Sequence, residues 1–208
     1  MIKILAIGDP HIPRRAKNVP VQICDVLEKN VLNGKFDYTF FTGDVVKAPI
    51  FMSYLKKITK NEVLVVVGNM DYYGGNQNAP IYQHIEVSIE TKENLTVGLT
   101  HGHQIHPRGD HAQLGNLAID NNYNILISGH THKEEIVLTN HGVLLLNPGS
   151  VTGAWSFVAS RNPSFIVLFL DEKTGEIDVF QHQYEIRSSK LREQKFSFIF
   201  KNKTIQKY

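Results

Sequence analysis

A single cysteine, Cys24, among 208 residues leaves no partner for an intrachain disulfide, and a reducing compartment is expected. Long apolar runs are missing too. No stretch approaches the length that spans a bilayer, and the first residues pass straight into a strand-like segment, too short and too polar for a signal peptide. The expected location is the cytoplasm, or the edge of a membrane reached through partners. Charge of one sign is absent: 22 Lys and Arg face 20 Asp and Glu, a net of +2 that does not suggest a nucleic-acid binder. No linker, repeat or low-complexity tract interrupts the chain. What is present is ordinary for a globular protein, 42% hydrophobic and 20% charged, in a length that supports one domain over residues 1–208 with a substantial core. Cys24 lies in a helix-like stretch with Val19, Ile23, Val26 and Leu27, and reads as a buried structural thiol.

Strand patterns occur at Ile2–Ile7, Tyr38–Thr42, Val63–Val67, His84–Glu90, Leu95–Thr100, Ile125–Ser128, Glu134–Thr139, Val143–Leu146, Ser164–Leu170 and Glu176–Tyr184. Helical periodicity occurs near Pro20–Leu32, Ile50–Ile58 and His111–Asn121. The first half alternates strand and helix, as a parallel sheet requires. The second half is mostly strands, with Asn140-His141-Gly142 and Lys173-Thr174-Gly175 as hairpin connections. The fold expected is α/β: a two-sheet β-sandwich with helices outside. A divergent tail covers about 185–208, where Phe196, Phe198 and Phe200 alternate along a last edge strand. Lys195, Lys201, Lys203 and Lys207 are expected to solvate that edge.

Ten histidines are more informative than the bulk composition. Asp9 and His11 (GDPH), Asp44 (TGDV), Asn69 (VGNMD), His101 (THGH), and His130 with His132 (SGHTH) each follow a β-branched, strand-like run. In open α/β sheets, ligands gather at the carboxyl ends of strands. Carboxylate, amide oxygen and neutral imidazole suit hard to borderline divalent cations such as Mn²⁺ or Zn²⁺. A lone histidine is more often a core or surface residue than a ligand. Seven metal-capable side chains in this order point to a pocket for one or two ions. A spacing of two in Asp9-Pro10-His11 and in His130-Thr131-His132 keeps both side chains on one face if the backbone is extended. Gly43 lets the chain turn sharply into the site ahead of Asp44.

These motifs together resemble the calcineurin-like metallophosphoesterase superfamily. Three longer stretches, GDPHIPRR, LTHGHQIHPRGD and LISGHTHK with LLLNPGSVTGAW, resemble more specifically the vacuolar protein sorting 29 family of retromer subunits. The resemblance continues through NPSFIVLFLD and the closing strands. It implies a four-layer α/β/β/α sandwich used chiefly as a scaffold in endosome-to-Golgi transport. It also implies a place on endosome membranes through the complex, with the pocket side packed against the large α-solenoid subunit. By the same resemblance, Asp9, His11, Asp44 and His132 would hold one metal, and Asp44, Asn69, His101 and His130 the other. Ile105, His106 and Pro107 on the loop after His101 would meet the large subunit.

One departure weighs against vigorous catalysis. Active superfamily members commonly read GNHD, and that histidine serves the leaving group; here Met70 stands in its place. A thioether has no proton to give, and losing a positioned acid typically costs 10²–10⁴-fold. His103 is a candidate substitute, though a supporting or surface role is the plainer reading. The alternative to a scaffold is a metal-dependent phosphodiesterase, favoured by the intact ligand set. Tyr72-Tyr73-Gly74-Gly75-Asn76 reads as a loop over the pocket, and Asn147-Pro148-Gly149-Ser150 as a turn that orients a ligand. Trp155 is either core or an exposed anchor.

Overall fold

The computed structural model describes residues 1–74, 77–90 and 93–208. In chain order the elements are β1 (Ile2–Ile7), α1 (Val21–Leu32), β2 (Phe36–Phe41), α2 (Pro49–Ile58), β3 (Thr59–Val65), α3 (Asp71–Gly74), β4 (Tyr82–Ser88), β5 (Asn94–Thr100), α4 (His111–Asp120), β6 (Ile125–Ile127), β7 (Glu134–Leu138), β8 (Leu144–Pro148), β9 (Ser164–Leu170), β10 (Glu176–Glu185), β11 (Lys190–Lys201) and β12 (Thr204–Lys207). They build a seven-stranded sheet, β12-β11-β10-β9-β1-β2-β3, and a five-stranded sheet, β4-β5-β6-β8-β7.

The period-two alternation of the central strands explains the layers. In β1, Ile4 and Ala6 face the other sheet, while Leu5 and Ile7 face α1 and α2. In β9, Ile166, Leu168 and Leu170 face inward, and Phe165 and Val167 face the helices. The five-stranded sheet repeats the arrangement. Ile125, Ile127, Leu144 and Leu146 enter the core between the sheets, while Leu126 and Leu145 pack under Leu114 and Ala118 of α4. Both faces of the central strands are buried. Helices therefore lie outside both sheets, and the expected sandwich is the observed one.

The differences from the sequence reading are local. β3 starts at Thr59 and stops before Val66–Val67, and β4 runs Tyr82–Ser88, two residues earlier than expected. The tail is a hairpin: β12, not the Phe196–Phe200 segment, forms the edge of the seven-stranded sheet. Phe198 and Phe200 are buried between the sheets with Ile205 of β12. Asn202 and Lys203 both take positive φ, the pattern of a tight hairpin turn. Lysine at the second central position hid that turn. Lys195 pairs with Asp178 at 2.9 Å rather than only meeting solvent. Cys24 is half-buried, and burial pushes its thiol pKa up. Tyr72–Gly74 belong to the short helix α3, whereas Gly75 and Asn76 lie outside the described residues.

Candidate metal centre

The seven residues singled out in the sequence lie in loops at the carboxyl ends of β1, β2, β3, β5 and β6. Their backbones are not extended. Asp9 (φ 50°), His11 (47°), Asp44 (55°), His130 (68°) and His132 (58°) all lie in the left-handed region. The two-residue spacings therefore reach one face through successive left-handed turns, not through a strand-like zigzag. Such residues typically carry about 1–3 kcal/mol of strain each, so the surroundings must hold them. Asp9 N–H donates to Gly43 O at 3.1 Å, and His11 N–H to Asp44 O at 3.2 Å. Ser150 Oγ donates to Asp9 O at 2.7 Å. Gly43 takes φ 99°, and a Cβ there would lie 2.8 Å from Gly68 N, so the sharp turn before Asp44 does require glycine.

Asp9, His11, Asp44 and His132 are buried, and a ligand atom from each lies within 4.8 Å of all the others. His11 Nε2 is 2.9 Å from His132 Nε2, 3.2 Å from Asp44 Oδ2 and 3.9 Å from Asp9 Oδ1. His132 Nε2 is 3.4 Å from Asp9 Oδ1. The second set adjoins the first through Asp44. His101 Nε2 lies 3.6 Å from Asp44 Oδ2 and 3.2 Å from Asn69 Oδ1, and the His101 and His130 rings are 5.0 Å apart. Among the described residues, only the first set brings four titratable ligand atoms into mutual reach.

Backbone carbonyls fix the ring orientations. His101 Nδ1 donates to Thr42 O at 2.6 Å and His132 Nδ1 to Ala154 O at 3.0 Å, which leaves each Nε2 free to face the pocket. Burial, with neighbouring positive charge, lowers His11 and His130 to about 3, so both rings are neutral and available as donors near pH 7. Burial opposes the charge on His132 as well, but Asp9 and the Ala154 carbonyl win and raise it. Burial would raise Asp9, yet His132, His101 and His11 together hold it well below the usual carboxylate range. Asp44 is pushed up to about 6, chiefly by burial.

Asp71 organises the site and was not picked out as a separate functional residue. Its Oδ2 accepts from Asp44 N–H at 2.8 Å and Gly68 N–H at 2.9 Å, and its Oδ1 from Val46 N–H at 3.0 Å. One buried carboxylate thus ties the β2 and β3 loops together, and the final Asp of GNMD was its only signal. Thr42 Oγ1, which donates to Asp9 Oδ2 at 2.9 Å, was likewise missed. The expected turn is only partly one: Asn147 and Pro148 end strand β8, and Asn147 Nδ2 donates to Gly129 O and Thr131 Oγ1, at 2.9 and 3.0 Å, on either side of His130. His103 lies at the rim, with its ring 5.5 Å from His101 and 6.4 Å from His130. Trp155 is exposed and packs edge-on against Phe157 at 4.9 Å.

The loop after His101 needs a correction. Ile105 is only 5% exposed and packs with Leu114, Ala118 and Tyr123 beneath α4. Its apolar side chain found the five-stranded sheet's own helix layer, so it offers no free surface to a partner. His106 and Pro107 are exposed.

Donor chemistry and geometry both fit a divalent cation. Asp9 Oδ1 is fully buried and has no hydrogen-bond partner among the described residues, although it lies between two imidazole nitrogens. An orphaned buried carboxylate oxygen beside imidazole nitrogens is what a bound cation satisfies.

Comparison with known proteins agrees with this geometry. The chain is 31% identical over 175 residues, 84% of its own length and 90% of the relative, to a probable metallophosphoesterase of Methanothermobacter thermautotrophicus. Its structure is similar to vacuolar protein sorting 29 of Cryptosporidium parvum, with TM-score 0.80 and 30% identity over 95% of this chain and 98% of that one. It is also similar to wild-type Vps29 of Entamoeba histolytica complexed with Zn²⁺, with TM-score 0.76 and 27% identity over 94% and 99% of the two chains. The model of the calcineurin-like phosphoesterase superfamily domain matches residues 2–173, from β1 past the end of β9 and through every ligand loop. The chain belongs to the calcineurin-like phosphoesterase superfamily.

Proposed function

We propose that the chain is a retromer-type subunit, a Vps29-like scaffold for endosome-to-Golgi transport that retains a divalent-metal pocket. The observation that carries this reading is similarity to Vps29 over nearly the whole of both chains. The similarity reaches beyond the region of the superfamily match and into the closing strands. Met70, in place of a proton donor, is consistent with a pocket whose main use is not turnover. The large α-solenoid subunit would cover the pocket side and meet exposed His106 and Pro107, with Ile105 supporting the loop from below. The protein would then reach endosome membranes from the cytoplasm through the complex; among the described residues no helix is long and apolar enough to cross one.

Asp9, His11, Asp44 and His132 would hold one ion, and Asp44, Asn69, His101 and His130 a second. Such ions supply Lewis-acid stabilisation of phosphoryl oxygens and an activated water when bound. The chain's own contribution is orientation: Thr42, Ala154, Asp71 and Asn147 fix the ligand loops. The test is co-purification from native extract. Recovery of large retromer subunits with the tagged chain supports the scaffold; their absence under conditions that preserve the complex removes it.

A second reading, a metal-dependent phosphodiesterase, is favoured by the complete ligand set and by the likeness to a probable metallophosphoesterase. Hydrolysis of an unactivated phosphodiester by the isolated, metal-loaded chain would support it over the scaffold alone.

A further inference from the structure

We propose that Arg14 and Arg15 form an oxyanion-binding rim beside the metal pocket, positioning the phosphoryl group of a small organic phosphate where the Met70 side chain offers no donor. The inference rests on the metal-pocket reading above. Arg15 N–H donates to His11 O at 2.8 Å, so both arginines leave from the turn that presents a ligand. They reach different neighbouring segments. The Arg14 guanidinium sits over the Tyr73 ring, 5.9 Å from its centroid. Tyr73 N–H donates to Met70 O at 3.2 Å, and Met70 N–H to Asp44 Oδ1 at 2.7 Å. Arg14 therefore spans from the His11 turn to the Met70 turn, the two segments that flank Asp44. Arg15 Nη1 donates to Trp155 O at 2.8 Å. The preceding carbonyl, Ala154 O, orients His132. Arg15 therefore spans from the His11 turn to the segment behind His132.

Both arginines are exposed. Among the described residues neither forms an ion pair, whereas Arg192 pairs with Glu185 at 2.7 Å. Two guanidiniums without an ion pair, each positioned by an aromatic ring or a carbonyl, are available to an anion. The planar fork suits phosphate, and each group keeps several N–H donors uncommitted. The ligand class is a phosphate ester small enough to reach the pocket floor, with its free oxygens directed at the rim.

The test is calorimetric titration of phenyl phosphate into the full chain, metal-free and with stoichiometric Zn²⁺, for wild type, Arg14→Ala, Arg14→Lys and Arg15→Ala. Removing either guanidinium is expected to weaken phenyl phosphate binding roughly tenfold, as the loss of a charge-assisted hydrogen bond implies. Zinc affinity and melting temperature should stay at wild-type values, and Arg14→Lys should recover part of the loss. Unchanged phosphate affinity in both alanine variants overturns the proposal. So does a loss fully accounted for by weaker zinc binding. Failure of wild type to bind zinc would sink the metal-pocket reading instead, while the metal-free titrations still judge the arginines.

Discussion

The backbone N–H of Met70 donates to Asp44 Oδ1 at 2.7 Å, so the residue whose side chain lacks an acid still fixes the carboxylate between the two halves of the pocket. Position 70 therefore has two separable parts. The peptide group orients Asp44, and the side chain takes no part in that contact. Met70→His is expected to leave the fold and the metal affinity intact, and to raise hydrolysis of an unactivated phosphodiester by about 10²-fold if a missing acid is the limit. An activated aryl phosphodiester, whose phenolate leaves unaided, should gain far less. Rates for the two substrates with both proteins decide the matter; equal gains, or none, count against the missing acid.

Metal binding should depend on Asp44 and on pH. Neutral His11 and His130 are ready donors down to low pH, but Asp44, pushed up to about 6, and His132, raised above the ordinary imidazole value despite its burial, must each lose a proton before they can ligate. Zinc or manganese affinity is expected to fall as pH drops, first as His132 gains its proton and further as Asp44 does near 6. Proton release on binding should appear across that range. Calorimetry of chelator-treated protein in buffers of different ionisation enthalpy measures both. Asp44→Ala should bind at least tenfold more weakly; an unchanged isotherm would remove Asp44 from the ligand set.

Asp71 offers a test of the scaffold beneath the ligands. Replacing it with Ala leaves three buried N–H donors, those of Asp44, Val46 and Gly68, without their acceptor. Each unsatisfied donor costs about 1–3 kcal/mol. Asp71→Ala should destabilise the protein by about 3 kcal/mol or more and weaken metal binding, with Asp71→Asn intermediate. Urea melts and a zinc titration measure the two effects, and a stable variant with normal zinc affinity would contradict the clamp.

A histidine remote from the pocket sets part of the acid sensitivity. His182 in β10 is buried, stacks on Phe165 at 4.6 Å, and burial lowers it to about 4. The unfolded chain binds that proton from about pH 6.5 downward, and the folded one only near 4. Above pH 6.5 both states are neutral and His182 has no effect. Between 6.5 and 4 the unfolded state gains up to about 3 kcal/mol. Wild type should therefore lose about that much more stability than His182→Gln between pH 7 and 4. Parallel losses in the two proteins would show that His182 takes up its proton while folded.

Ile105→Asp is expected to unfold the region under α4 rather than to remove a partner selectively. A charge among Leu114, Ala118 and Tyr123 has no counter-ion, and its burial costs several kcal/mol. His106→Glu alters the exposed rim without touching that core. Thermal melts beside co-purification with the large subunit separate the effects. A normally folded Ile105→Asp would place Ile105 outside the core.

What the sequence made legible was whatever a single strand can record. Ile4, Leu5, Ala6 and Ile7 are apolar on both faces because sheet and helices cover both faces, and a ligand sits at the end of each such run. The left-handed φ values of Asp9, His11 and Asp44 were not legible. No glycine marks them, and they are imposed by hydrogen bonds from distant loops. Asp71 looked like one more polar residue because its three partners come from separate positions. Ile105 was misplaced for a related reason. A rim loop and a core contact differ by the direction of one side chain, which α4 decides.

Ser150 donates to the Asp9 carbonyl across 141 residues, and β1 pairs with β9, so the first ligand loop is completed by one of the last parts of the sandwich to be synthesised. A nascent chain that ends before Ser150 already carries all seven ligands, yet lacks the strand and the hydroxyl that hold the first of them. A growing chain should therefore complete this loop cluster in one late step, when β9 inserts beside β1. Until then its imidazoles and carboxylates would be held only loosely, and any cation they bound would meet an unfinished site.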